Sequence, residues 1–188
     1  MQIGGLGTNS TAKLGGTSQI QKSAKKTVEN AMTDGFVEQI KEMARKDAQT
    51  GVYMSDEFTQ MRQAYKTRYV SPNRSGLQGQ VMSFMQRAAM GGNRGNFLMR
   101  LLGGYSMKAS LGIHSQYNTA EVFAPNGELV GAYTCGGQWV EFPTEAESQF
   151  LGDTNLVYLE AYRAARAEMK SAAQGQAPAD TATVDIRA

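Results

Sequence analysis

The chain has 188 residues, 41% of them hydrophobic and 19% charged, with a formal net charge of +2. That length and composition suit one domain with a buried core, and a charge so near zero gives no argument for a polyanion partner. A single cysteine, Cys135, excludes an intramolecular disulfide, and beside the single histidine, His114, it excludes a Cys/His zinc cluster within one chain.

Residues 1–18 are rich in Gly, Thr and Ser and read as a flexible N-terminal tail, too poor in apolar side chains to offset the entropy of ordering. A weak helix is expected over 20–32. Thr33-Asp34 then caps a clearer one, with Phe36, Val37, Ile40, Met43 and Ala44 on one stripe and Gly51 at its end. Ser55 caps the next helix, where Asp56 and Glu57 favour the positive end of the helix dipole. Its stripe is Phe58, Met61, Tyr65 and Tyr69, and Val70-Ser71-Pro72 stops it. Leu77, Val81, Phe84, Met85 and Ala88 mark a helix over 77–90 that ends at Gly91-Gly92. A short helix is expected over 97–102, ending at Gly103-Gly104.

The period then changes. Tyr105, Met107, Ala109, Leu111 and Ile113 alternate with small or polar residues, which predicts a strand. Thr119 to Phe142 follows as three apolar runs separated by Asn126-Gly127 and Gly136-Gly137, dipeptides that supply the positive φ of two-residue hairpin turns. Counting from such turns pairs Phe123 with Val130, Val122 with Gly131, Tyr133 with Val140, and Gly131 with Phe142. Phe142 then lies across the bare Gly131. Thr144 and Glu147 form a capping box ahead of a long helix with Phe150, Val157, Tyr158, Ala161, Ala165 and Met169 on one stripe, interrupted by Gly152. This helix is expected to cover the Val122/Leu129/Tyr133/Val140/Phe142 face. Residues 173–188 read as a flexible C-terminal tail. The fold class is α+β: N-terminal helices, a small antiparallel meander of three to four strands, and a long C-terminal helix packed on the sheet. One domain is expected over 19–172, helical over 19–103 and with the sheet and last helix over 104–172.

The runs GVYMSDEF (51–58) and RYVSPNRS (68–75), the meander ending in GGQW, and AYRAARAEMKSA (161–172) resemble a family of short bacterial proteins of the Firmicute type. The resemblance covers roughly 37–172. It implies a small intracellular bacterial protein and carries over no catalytic or binding residue.

Three candidate surfaces come from the residues themselves. By the counted register, Glu121, Phe123, Val130, Trp139 and Glu141 share one sheet face, large apolar side chains framed by carboxylates, as in a contact surface. Covered by the N-terminal helices, the same residues are core. Glu121 and Glu141 also fall about 10 Å apart at Cβ, within reach of the ~6.5–9.5 Å carboxyl spacing of an inverting glycosidase, so a hydrolase is one alternative. Arg62, Lys66, Arg68 and Arg74, interleaved with Tyr65 and Tyr69, form a basic patch fit for a nucleic-acid backbone, though a solvated helix face gives the same pattern. Gly91 to Gly95, with Arg94, is a weak candidate anion cradle ahead of the expected helix at Phe97. His114 has no identifiable nucleophile to serve, and Cys135 shows no electropositive setting. Several of the 11 methionines suit a plastic interface as well as a soft core.

The reading that follows is a non-enzymatic protein-interaction or structural module with no catalytic residue, cofactor or metal. A protein partner is expected, with nucleic acid as the alternative. No apolar run approaches the ~20 residues that span a bilayer, and the N-terminus has no basic segment leading into an apolar one. No membrane partner and a cytoplasmic location are therefore expected.

Overall fold

The computed structural model describes residues 14–175. Helices α1 (Leu14–Ala31), α2 (Asp34–Thr50), α3 (Asp56–Tyr65) and α4 (Leu77–Met90) precede strands β1 (Gly95–Arg100), β2 (Ser106–Leu111), β3 (Thr119–Phe123), β4 (Leu129–Tyr133) and β5 (Trp139–Glu141). Helix α5 (Glu145–Gly175) follows, giving an α+β fold. The described residues form two compact units: 14–33 with 63–152, and 34–62 with 153–175.

The first unit holds the sheet, a five-stranded antiparallel meander in the order β1-β2-β3-β4-β5. Strand β1 replaces the helix expected over 97–102, so the sheet has one strand more than the three to four expected. A six-residue run is too short for a helical period to show against a strand. Gly103 and Gly104, at φ 76° and 83°, make the β1–β2 turn. Leu101 N–H donates to the Tyr105 carbonyl across it (2.8 Å).

Both turns of the Thr119–Phe142 stretch hold three residues instead of two. In the first, Ala124 N–H donates to the Glu128 carbonyl (2.8 Å). A bulge between Val122 and Phe123 absorbs the extra residue, so Val122 faces Gly131 as counted while Phe123 faces Leu129. In the second, Thr134 N–H donates to the Gln138 carbonyl (2.8 Å) around Cys135, Gly136 and Gly137. No bulge compensates there. Tyr133 pairs with Trp139, Ala132 with Val140 and Gly131 with Glu141. A one-residue slip exchanges the faces of a strand, so β5 is inverted from the counted register. Gly131 does lie under an aromatic ring, but the ring is Trp139: a Cβ at Gly131 would come within 2.4 Å of the indole. Phe142 is exposed.

Helix α4 covers the apolar face. Its Leu77, Val81, Met85 and Ala88 share one core with Met107, Ala109, Leu111, Ala120, Val122 and Val130, rimmed by Phe97, Tyr133 and Trp139. This corrects the expectation that the C-terminal helix spreads over that face. The first turns of α5 pack on the sheet near β4 instead. Thr144 N–H donates to the Glu147 carboxylate (2.9 Å) and Glu147 N–H to Thr144 Oγ1 (3.1 Å), the capping box read from the sequence. Arg74 pairs with Glu147 and also donates to the Val130 carbonyl (3.1 Å) and to the Phe142 carbonyl.

The second unit consists of α2, residues 56–62 of α3 and α5 from 153 onward. Ser55 Oγ accepts from Phe58 N–H (3.3 Å), the expected N-cap. Phe58 and Tyr158 are fully buried, with ring centroids 4.3 Å apart. Tyr158 therefore serves this unit and not the sheet.

Candidate functional site

The structure divides the five sheet residues proposed as one surface. Val130 is buried under α4, and Trp139 lies half-buried on the same side, its Nε1 donating to Glu141 Oε1 (3.1 Å). Glu121 and Phe123 belong to the opposite, uncovered face. Glu121 pairs with Lys108 and Ala132, whereas Glu141 pairs with Gly131. The two carboxylates thus stand on opposite sides of the sheet, and the spacing that suggested a hydrolase disappears with the slipped register.

The basic patch is divided as well. Arg62 lies in the second unit, hydrogen-bonded to Asn155 Oδ1 and 5.2 Å from the centroid of the Phe58 ring; burial holds its pKa below the usual arginine value. Arg74, in the first unit, is committed to Glu147 and two carbonyls. Lys66 and Arg68 occupy a π-helical turn, Lys66–Val70, with Arg68 5.1 Å from the Tyr69 ring centroid. Two of the four cations are therefore taken up by folding. Gly91 to Gly95 leads into β1, so the anion cradle lacks the helix N-terminus it needed. The His114 ring lies 6.3 Å from that of Tyr117, and Cys135 is exposed in the β4–β5 turn with Sγ 3.9 Å from the Tyr117 carbonyl.

The site the fold does build is the sheet face left uncovered among the described residues. Alternation along each strand, combined with the observed pairing, sets its side chains in rows. One row runs Leu98, Lys108, Glu121, Ala132, Val140 across all five strands. A second runs Asn96, Ser110, Thr119 across three. Small side chains in the middle and larger ones at the margins shape a groove of about 850 Å³. Leu98, 74% exposed, stands on one shoulder. Phe123 lies toward one end with Lys108 Nζ 5.0 Å from its ring centroid, a cation–π contact. Cys135 lines the groove at the opposite end. Such a face offers apolar contact, hydroxyl and amide hydrogen bonding, two cations, Arg100 and Lys108, and one carboxylate, Glu121.

A second polar cluster lies in the other unit and left no mark on the sequence. Asp47 is buried, and its Oδ2 accepts from the Tyr158 hydroxyl (2.7 Å) and from Ser55 N–H (3.1 Å). The Tyr158 oxygen accepts in turn from Met54 N–H (2.7 Å), Met54 standing at φ 50°. Burial and the hydrogen bond to Asp47 push the Tyr158 hydroxyl well above the usual tyrosine range, so it stays a donor at neutral pH. Residues 47 and 158 are 111 positions apart, and no local pattern joins them.

Among the described residues, no helix is long and apolar enough to cross a membrane, and no three metal-ligating side chains cluster. No family model, curated protein or solved structure matches the chain.

Proposed function

We propose that this chain is a non-enzymatic protein-interaction module that binds its partner on the open face of the sheet. One observation carries the reading: among the described residues α4 covers one side of a five-stranded sheet, and the other side is a groove of about 850 Å³ with Leu98 and Val140 exposed on that face. Antiparallel sheets often leave one face in water, but that face is then usually polar throughout. Here Leu98 and Val140 stand exposed in the same row as the Lys108–Glu121 pair, and exposed apolar side chains rimmed by polar ones mark a contact surface. The bacterial, cytoplasmic setting belongs to the same proposal and rests on the family resemblance.

The single cysteine makes the test direct. A maleimide photo-cross-linker on Cys135 places the reactive group at the edge of the groove. In native extract it should capture one discrete protein, and Ala132→Arg, which fills the floor, should abolish capture without lowering the melting temperature. Capture unchanged by Ala132→Arg would sink the proposal. Binding to nucleic acid that weakens steeply as salt rises would favour the alternative through Lys66 and Arg68.

A further inference from the structure

Every open sheet has two edges, and in most proteins both are blunted by shortness, bulges, proline or inward charge. Edge strand β5 is short, three residues, and Pro143 follows it closely. Edge strand β1 carries none of these devices. It runs six residues, Gly95–Arg100, paired in unbroken register with β2 and containing no proline. The direction of its backbone groups follows from the ladder. Leu101 N–H points across to Tyr105, and antiparallel pairing alternates, so Asn96, Leu98 and Arg100 turn their N–H and C=O groups outward. All three residues are exposed.

We infer that β1 is a strand-addition site whose occupant is an extended peptide segment bearing carboxylates. Charge selects the occupant. Arg94 precedes the strand and Arg100 ends it, whereas β1 and β2 contain no carboxylate. A second copy of the chain would bring the same arginines together, and six residues give only about 20 Å of pairing edge at ~3.4 Å per residue. An acidic partner strand meets the two arginines, satisfies the outward backbone groups, and extends the open face by one strand beside Leu98. The inference deepens the binding-module reading by naming the kind of segment bound.

The probe is a synthetic seven-residue peptide of alternating valine and threonine with glutamate at both ends. On titration, the amide signals of Asn96, Leu98 and Arg100 should shift and gain protection from solvent exchange. Replacing the glutamates by lysine should weaken binding at least tenfold, and N-methylation of alternate peptide amides should abolish it. Leu98→Pro removes an outward donor that the ladder does not use, a place where an edge strand tolerates proline. It should abolish binding, while Leu156→Ala, at an exposed position of the other unit, should not. No binding at millimolar peptide, equal binding of the lysine peptide, or self-association of the chain that Leu98→Pro relieves would each overturn the inference. Loss with Ala132→Arg but not with Leu98→Pro would overturn it too, and would leave the open-face reading standing.

Discussion

Asp47 shows how one buried carboxylate is kept charged. Burial pushes its pKa up, but the Tyr158 hydroxyl and the Ser55 donors outweigh it and hold the carboxyl below its ordinary value. A carboxyl whose pKa is lower folded than unfolded stabilises the fold above the unfolded value, near 3.9, and loses that contribution as pH falls through the folded value. The wild-type melting temperature should therefore drop more steeply below about pH 4 than that of Asp47→Asn, with the two curves converging in acid. Parallel curves would mean that Asp47 titrates normally. Gly131 makes the complementary case in the sheet. An added Cβ there meets the Trp139 ring at 2.4 Å, and a ring on a paired strand has little room to move. Gly131→Ala should cost about 1–3 kcal/mol, as overpacking does. Because Trp139 is the single tryptophan, its emission should shift to longer wavelength in the folded variant as the indole is displaced toward water.

Among the elements, helices were legible wherever a cap and a stripe coincided. The Ser55 and Thr144 caps stand where the spacing predicts, because a cap is satisfied within three residues of itself. Strand β1 and the turn lengths were not legible. Asn-Gly and Gly-Gly announce positive φ but do not fix whether a loop has two residues or three, and that single residue inverts β5. Gly152 is the clearest element-scale test. Helix α5 passes through it unbroken, and a Cβ there would meet nothing within 4 Å. Gly152→Ala should stabilise the protein by roughly 0.5–1 kcal/mol, read from the denaturant midpoint, since alanine removes unfolded-state entropy without a clash. A destabilised variant would mean that the helix needs glycine at that point.

At the scale of the whole molecule, Arg74 ties together parts of the first unit that are distant in sequence: the approach to α4, strand β4, the end of the β5 segment and the cap of α5. Glu147, its partner, is buried. Arg74→Ala should cost about 3–5 kcal/mol in chemical denaturation, because it strands a buried carboxylate. A loss below about 1 kcal/mol would mean that water replaces the guanidinium, as at a surface pair. The sequence alone determined what is settled within a turn or two of chain: the caps, the helix stripes, the β2–β4 strands and the α+β class. Tertiary structure decided the rest. It chose α4 over the C-terminal helix as the cover of the apolar face, sent Tyr158 to Asp47, and put Glu121 and Glu141 on opposite sides of the sheet. Those outcomes depend on register and on contacts between residues up to 111 positions apart, and a periodic pattern shows that a face is apolar without showing which element will cover it.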